Sequence, residues 1–171
     1  HMATKNSQQT PASEVPSGAG MHIGIVVSDW NREITDRLYD GCRQVLTEHG
    51  VKEDHIVSYR VPGSFELPMG ARLIAAGEKF DAIVCIGCVI KGETRHDEYI
   101  AQAVSNGLMH LSLTTNIPMI FCVLTPNDHD QAVARAGGAL GNKGEEAAIA
   151  ALQMGALKKQ KTSLAQKIGF S

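Results

Sequence analysis

Hydrophobic residues along the chain occur in two kinds of stretch. Four short runs are almost continuously apolar and rich in β-branched residues, which is typical of strands that are covered on both faces of a sheet. They span residues 22–28, 55–61, 81–90 and 117–124. Between and after these runs, apolar residues recur every three or four positions, as they do on the buried face of a helix. The pattern predicts the order βαβαβαβαα.

Local signals predict where the five helices begin, because a capping residue or an early proline stands at the start of each periodic stretch. The predicted starts are Asn31, Pro68, Thr94, Asp128 and Asn142. Strands that alternate with helices predict an α/β fold, a four-stranded parallel sheet between two layers of helices. The edges of so small a sheet need covering, and self-association is one way to cover them.

Length and composition limit the number of domains. The 171 residues are 43% hydrophobic, which is enough for one core but not for two full domains. Residues 1–20 are almost all polar, small, Pro or Gly, so we expect a disordered tail whose first two residues resemble a cloning scar. The predicted domain spans residues 21–162, followed by a short C-terminal tail at 163–171.

Charge and hydropathy exclude several classes of partner. The net charge is −2, and the scattered Lys and Arg residues form no basic face that could follow a nucleic acid backbone. No apolar run reaches the roughly 20 residues that a membrane span needs, and the N-terminus lacks a secretion signal. We therefore expect a cytoplasmic protein. Cys85 and Cys88 have C-x-x-C spacing but lie within an apolar run, so buried reduced thiols are expected rather than metal or redox chemistry.

The loop after the third predicted strand carries candidate chemistry, because parallel sheets bind ligands at the carboxyl ends of their strands. It places Gly92, Thr94 and His96 at a helix start, where free N–H groups and the helix dipole favour an anion. An imidazole in the first turn is suited to proton transfer near neutral pH. Alternatively, Thr94 only caps the helix and His96 is a solvated surface residue. Spacing alone leaves both interpretations open.

Other loops at the same end of the sheet favour a ligand site. Trp30, the single tryptophan, follows the first strand, and Phe65 and Glu66 follow the second. These groups suit a flat heterocycle with polar edges, although each aromatic residue alone is more often part of a core. Arg135 ends a short helix, where basic residues commonly complement the dipole, whereas Lys143 at a helix start is locally unfavourable. Glycine-rich dinucleotide and P-loop motifs are absent from the sequence.

Five motifs in order resemble the 6,7-dimethyl-8-ribityllumazine synthase family. They are W-N-x-x-I-T from Trp30, VPGSFELP, GCVIKGETRHDEYI, N-x-x-x-Q-A-x-x-R-A-G from Asn127, and GNKGEEAA. The resemblance extends from Ile23 to about Leu157 and implies a flavodoxin-like fold. It also implies a transferase that condenses 5-amino-6-(D-ribitylamino)uracil with 3,4-dihydroxy-2-butanone 4-phosphate. That reaction forms the lumazine and releases phosphate and water without a cofactor or a metal.

The resemblance implies a role for each matched residue. His96 would shuttle protons. The uracil and its ribityl chain would be held by Trp30, Ser64, Phe65, Glu66 and, largely through backbone groups, by Cys88, Val89 and Ile90. Phe121 of a neighbouring subunit would close this site, with Lys143 nearby. The phosphate would be bound by backbone N–H groups of Glu93 and Thr94 and by the guanidinium of Arg135, provided that the Glu93 side chain points outward.

The resemblance further implies a homo-oligomer. The family forms pentamers with active sites between subunits, and some members close twelve pentamers into a hollow icosahedral shell. The eight-position step from Arg135 to Lys143 resembles the connection in shell-forming members. Two other functions remain alternatives: a non-catalytic flavin or lumazine carrier on the same fold, and an FMN-binding module. The absence of a hydroxyl- and glycine-rich loop after the first strand argues against the FMN-binding module.

Overall fold

The computed structural model of the protein describes Pro11 and residues 14–169. Within that part the main strands are β1 (Ile23–Ser28), β2 (Ile56–Val61), β3 (Ala82–Cys88) and β4 (Met119–Leu124). The helices are α1 (Arg32–Glu48), α2 (Leu67–Gly77), α3 (His96–Thr115), α4 (His129–Arg135) and α5 (Lys143–Lys167). Two very short strands, β5 (Ala136–Gly138) and β6 (Gly141–Asn142), pair antiparallel between α4 and α5. This hairpin was not predicted, because two or three glycine-rich residues show no period.

The four main strands form one parallel sheet in the order β2-β1-β3-β4. Residues of β1 alternate between two hydrophobic clusters: Ile25 and Val27 pack with residues of α1 and α5, whereas Val26 packs with residues of α2 and α3. Because helices cover both faces, every residue of β1 and β3 is buried. This double burial explains the continuous apolar runs, and it confirms the predicted α/β fold of three layers.

The two edge strands are less covered than the central pair. The middle of β2 is exposed, and β4 contains Phe121 with 46% of its surface exposed. A row of unpaired backbone groups along an edge is available for another chain. Within the described residues, neither outer edge of the sheet pairs with a further strand.

Two of the predicted helix caps are confirmed. The Asp128 carboxylate accepts a hydrogen bond from the backbone N–H of Gln131 (2.8 Å), and the Asn142 side chain accepts from Gly144 (2.8 Å). Pro68 is the second residue of α2, where its missing N–H costs nothing.

Two predicted caps are wrong. Asn31 has left-handed backbone angles (φ 60°, ψ 42°), and its side chain donates to the Cys88 carbonyl (2.9 Å) instead of capping α1. The helix predicted from Thr94 starts two residues later, with Arg95 at its cap. The chain stays extended beyond β3 because Lys91 N–H donates to the Pro126 carbonyl (2.9 Å), which delays the helix.

The ends of the predicted domain lie close to structured elements. Of the predicted tail 1–20, only Pro11 and residues 14–20 are described; in that part Val15 packs against the core, and Gly18 N–H donates to the His49 carbonyl (2.7 Å). At the other end α5 continues to Lys167, past the predicted boundary at 162. The division into domain and tails stays a prediction.

The cysteines lie in the core. All four are buried and free, and the burial of Cys85 and Cys88 agrees with the prediction. None of the helices found in the described part of the chain is long and apolar enough to cross a membrane.

Candidate active site

The carboxyl ends of β1, β2 and β3 surround a pocket of about 380 Å³, referred to below as the aromatic pocket. Its lining consists of Trp30, Phe65, Glu66, His96, Tyr99 and Ile100. Trp30 and Phe65 are 64% and 61% exposed, so their rings are open to a ligand rather than packed in the core. The volume suits a small heterocycle. The structure therefore brings together His96, Trp30, Phe65 and Glu66, which the sequence placed in three separate loops.

Tyr99 and Ile100 were missed by the sequence analysis. Both lie on α3, three and four residues after His96, so they share its side of the helix. Tyr99 is 67% exposed. Their spacing from His96 was the available signal, but it becomes useful only once the start and phase of α3 are known.

Hydrogen bonds hold the loop that carries Trp30. The backbone N–H of Trp30 donates to the Pro62 carbonyl (3.0 Å), which ties the loop to the end of β2. The Asn31 side chain ties it to Cys88 at the end of β3. On the outside, the Arg60 guanidinium binds Asp29 and, at 2.9 Å, Asp36; the hydrogen bond to Asp29 raises the pKa of Arg60. The loop that carries Trp30 is therefore held at three points.

The turn Ser64–Glu66 forms one wall of the aromatic pocket. One oxygen of the Glu66 carboxylate accepts from the Gly63 N–H (3.0 Å), and the other, which accepts from none of the described residues, can accept from a ligand hydroxyl. Ser64 lies below the wall and is only 6% exposed. Its side chain fills the space beside Gly87, where a Cβ would stand 2.4 Å from the Ser64 hydroxyl oxygen. That hydroxyl has no hydrogen-bond partner among the described residues.

The end of β3 supplies backbone groups, several of which are already used. The Cys88 carbonyl accepts from Asn31, and the Val89 N–H donates to the Leu124 carbonyl (2.8 Å). No acceptor for the Ile90 N–H occurs in the described part of the chain, so this donor is available to the edge of a ligand. Burial raises the pKa of the Cys88 thiol to about 11, so it is neutral at physiological pH.

The segment from Lys91 to His96 is exposed throughout and leads into α3. Glu93 and Thr94 lie in it, and the Thr94 hydroxyl accepts from the His96 N–H at 3.4 Å. The N-terminus of a helix attracts anions, but Asp97 and Glu98 in the first turn oppose that attraction. Lys91 and Arg95 in the same segment partly offset these charges, and a further cation would strengthen a phosphate site here.

Arg135 and Lys143 line a different cavity, of about 490 Å³, referred to below as the basic cleft. The basic cleft runs along the outer edge of β4 beside α4 and α5, and it includes Phe121. Arg135 donates to the Gln131 carbonyl (3.3 Å) and pairs with no carboxylate in the described part of the chain, whereas the Lys143 ammonium lies 3.0 Å from a Glu146 oxygen. The Arg135 guanidinium therefore has unused N–H donors that can bind an anion.

The predicted site residues thus divide into two half-sites. No residue lines both the aromatic pocket and the basic cleft. His96 and the two aromatic rings lie over the ends of β1 to β3, whereas Phe121, Arg135 and Lys143 lie along the β4 edge. A single copy of the chain does not unite them. Nowhere between residues 14 and 169 do three or more His, Cys, Asp or Glu side chains form a group that could hold a metal ion.

Fold and site together define a class of protein. The strand order is that of a flavodoxin-like sheet, in which the chain reverses direction across the sheet between β1 and β3. The aromatic pocket lies at this reversal, where such folds bind small ligands. The chain is therefore an α/β protein whose ligand site contains stacking rings, a carboxylate and an imidazole.

Comparison with known proteins identifies the family. The sequence model of the family described as 6,7-dimethyl-8-ribityllumazine synthase matches residues 20–159. A protein of that name from Cytophaga hutchinsonii is 49% identical over 84% of this chain and 90% of its own length. Proteins of the same name from Christiangramia forsetii and Flavobacterium psychrophilum are 46% and 44% identical, each over 92% of this chain, and over 96% and 84% of their own lengths. The chain belongs to the 6,7-dimethyl-8-ribityllumazine synthase family.

Proposed function

We propose that the aromatic pocket of one copy and the basic cleft of a neighbouring copy form one active site. As a member of its family the chain is a transferase of riboflavin biosynthesis. It condenses 5-amino-6-(D-ribitylamino)uracil with 3,4-dihydroxy-2-butanone 4-phosphate and yields 6,7-dimethyl-8-ribityllumazine, phosphate and water. The observation that carries the proposal is the division of the matched residues between two cavities of one chain.

The aromatic pocket is suited to the ribitylaminouracil. Trp30 and Phe65 offer exposed ring faces for the flat pyrimidine, and Phe121 of the neighbouring copy would close the stack. The free oxygen of Glu66 would accept from ribityl hydroxyls, and the Ile90 N–H would donate to a uracil carbonyl. Cys88 and Val89 would contribute shape and the remaining backbone groups. Ser64, being buried, would act from beneath the pocket and through its backbone.

The phosphate would lie between the segment before α3 and the neighbour's cations. Backbone N–H groups of Glu93 and Thr94 would contact it from one side, and the Arg135 guanidinium from the other, with Lys143 close by. The acidic first turn of α3 explains why a further cation would strengthen this site. Anchoring the phosphate in this way would hold the ketone beside the attacking amine, and such orientation supplies much of the acceleration.

His96 would move the protons of the reaction. The amine attacks the ketone and water leaves to give an imine; phosphate is then eliminated, and the ribitylamino nitrogen attacks the remaining carbonyl to close the ring with loss of a second water. Each step transfers a proton to or from nitrogen, carbon or oxygen. An exposed imidazole that lines the same pocket as the two rings can serve those steps in turn.

A homo-oligomer would supply the neighbouring copy. Exposed apolar side chains on α2 and α3 support this, because Met69, Leu73, Tyr99, Met109 and Leu113 are each at least 60% exposed. Assembly as pentamers would cover them, and closure of pentamers into a shell is the arrangement that we favour from the Arg135 to Lys143 step. A cytoplasmic location is supported by the four free, buried cysteines, which suit a reducing compartment.

The test of a shared site is complementation between two variants. Trp30→Ala damages only the aromatic pocket, and Arg135→Ala damages only the basic cleft. Separately purified variants should be nearly inactive in forming the lumazine, followed by its visible absorbance. When the two chains are dissociated and reassembled together, about a quarter of the sites should combine an intact pocket with an intact cleft, and activity should return in proportion. Mixtures that stay as inactive as either parent would contradict the shared site.

A further inference from the structure

Gly63 is buried directly beneath the indole ring of Trp30. A Cβ atom built on Gly63 would lie 2.5 Å from Cε3, 2.7 Å from Cζ3 and 3.1 Å from Cδ2 of that ring. Side chains do not approach one another to 2.5 Å, so any residue with a Cβ at this position must displace the ring or the backbone. The contact atoms belong to the six-membered part of the indole.

The backbone conformation of Gly63 does not itself require glycine. Its angles are φ −128° and ψ 178°, which are extended and open to every amino acid. The reason for a glycine is therefore the space that the ring occupies. Gly63 is also fixed in place, because its N–H donates to the Glu66 carboxylate (3.0 Å) and its carbonyl accepts from the Glu66 N–H (3.2 Å).

The backbone of Trp30 is held as firmly as that of Gly63. Its N–H donates to Pro62 (3.0 Å), and the next residue, Asn31, is bonded to the Cys88 carbonyl (2.9 Å). Because both backbones are held, a clash between the two residues would be relieved by rotation of the indole about its side-chain bonds. A methyl group at position 63 would turn the ring toward the open aromatic pocket.

We propose that Gly63 is a positioning residue for substrate binding, because its missing side chain sets the plane of Trp30 against which the pyrimidine stacks. The inference rests on the proposed stacking role of Trp30. Gly63 is not among the residues that line the aromatic pocket, and no hydrogen bond to substrate is assigned to it. It acts only through the ring above it, and this makes its effect separable from the effects of residues that contact substrate.

A double-mutant cycle tests the coupling between the two positions. Gly63→Ala should raise the KM for the ribitylaminouracil about tenfold and leave the KM for the phosphate substrate within about twofold. Trp30→Phe removes the fused ring and relieves the clash, so adding Gly63→Ala in that background should raise the pyrimidine KM by no more than about threefold. Gly77→Ala is the matched control, because a Cβ there meets nothing within 4 Å.

Fluorescence gives a readout that does not depend on turnover. Trp30 is the single tryptophan, so emission excited selectively from tryptophan reports on this ring alone. Without ligand, Gly63→Ala should change the emission maximum or intensity, whereas Gly77→Ala should not. If Gly63→Ala alone does not give folded protein, the same cycle is scored by whether Trp30→Phe restores folding, which a clash between these two groups predicts.

The outcomes separate this inference from the proposed function. Equal losses from Gly63→Ala in both backgrounds, with unchanged emission, would overturn the proposal, since Gly63 would not act through Trp30. A changed emission with an unchanged pyrimidine KM would also overturn it as a positioning role, and would locate the error in the stacking assigned to Trp30. Coupled losses with changed emission are the expected result.

Discussion

The aromatic pocket and the basic cleft are built in different ways. The pocket collects side chains from the loops after β1, β2 and β3, and hydrogen bonds within the same chain hold those loops to one another. The basic cleft lies along one strand, β4, whose outer edge pairs with no other strand in the described part of the chain. One half-site is therefore preorganised by its own chain, whereas the other lies along an edge strand that is paired on one side only among the described residues.

This difference predicts that the two half-sites contact different substrates. A rigid pocket with stacking rings suits the planar pyrimidine, which needs orientation more than charge. A cleft whose guanidinium pairs with no carboxylate among the described residues suits the phosphate, which needs charge that the first turn of α3 does not provide. Variants of the pocket and of the cleft should therefore damage the use of different substrates.

The largest single-residue effect on kcat in the pocket is expected at His96, whereas loss of Trp30 acts on substrate binding. His96→Ala should lower kcat by about 10-fold to 100-fold, because proton transfer loses its catalyst while the positioning of both substrates survives. Both KM values and the size of the assembly should stay close to those of the wild type. His110→Ala, an exposed histidine on the same helix, is the matched control and should be fully active. Steady-state rates and light scattering check this, and an unassembled His96→Ala protein would make the residue structural.

In the basic cleft, Arg135→Ala should weaken the use of the phosphate substrate by about 2 kcal/mol, or about 30-fold in kcat/KM, because a charge-assisted contact is lost. Affinity for the pyrimidine, measured by quenching of Trp30 emission, should change little. Arg72→Ala removes an exposed arginine from α2 and serves as the control. Equal damage to both substrates would show that the two half-sites do not divide the substrates as proposed.

The sequence predicted the aromatic pocket better than the basic cleft, for a physical reason. Carboxyl ends of parallel strands meet at one end of a sheet, so Trp30, Phe65 and His96 could be placed at the same end from the predicted parallel sheet alone. The position of Arg135 depends on where α4 packs beside the β4 edge, which no local pattern encodes. The uncovered sheet edges had suggested self-association, but a site shared with a neighbouring copy entered only through the resemblance to the family.

Errors in the predicted side-chain caps have a similar origin, although Asn31 does stand at the N-cap of α1 as predicted. Asparagine is a favoured N-cap residue, but the side chain of Asn31 forms a tertiary hydrogen bond to Cys88 instead. Its left-handed backbone turns the chain from β1 into α1. Thr94 fits a capping pattern, yet the pairing of Lys91 with Pro126 keeps the chain extended and delays α3. In both cases the competing partner is more than 30 residues away in sequence, where propensity rules do not reach.

The smallest expected effect concerns the alkylation of cysteine. Each region contains one thiol that can be compared: Cys88 lies beside the aromatic pocket, and Cys122 lies in the basic cleft. Burial raises the pKa of Cys88 to about 11 and that of Cys122 to about 12, with Glu146 adding to the rise at Cys122 and Lys143 opposing it. The reactive thiolate is thus scarce at pH 8, so iodoacetamide should leave both thiols and the activity intact. As the pH rises, Cys88 should react first, which mass spectrometry of the peptides would show. The raised pKa values of the two thiols correspond to a contribution to stability that is fully present below pH 9. It is lost progressively above pH 9, because the unfolded chain releases these protons first. Rapid alkylation of Cys122 at pH 8 would mean that the basic cleft opens far more in solution than its packing against α5 allows.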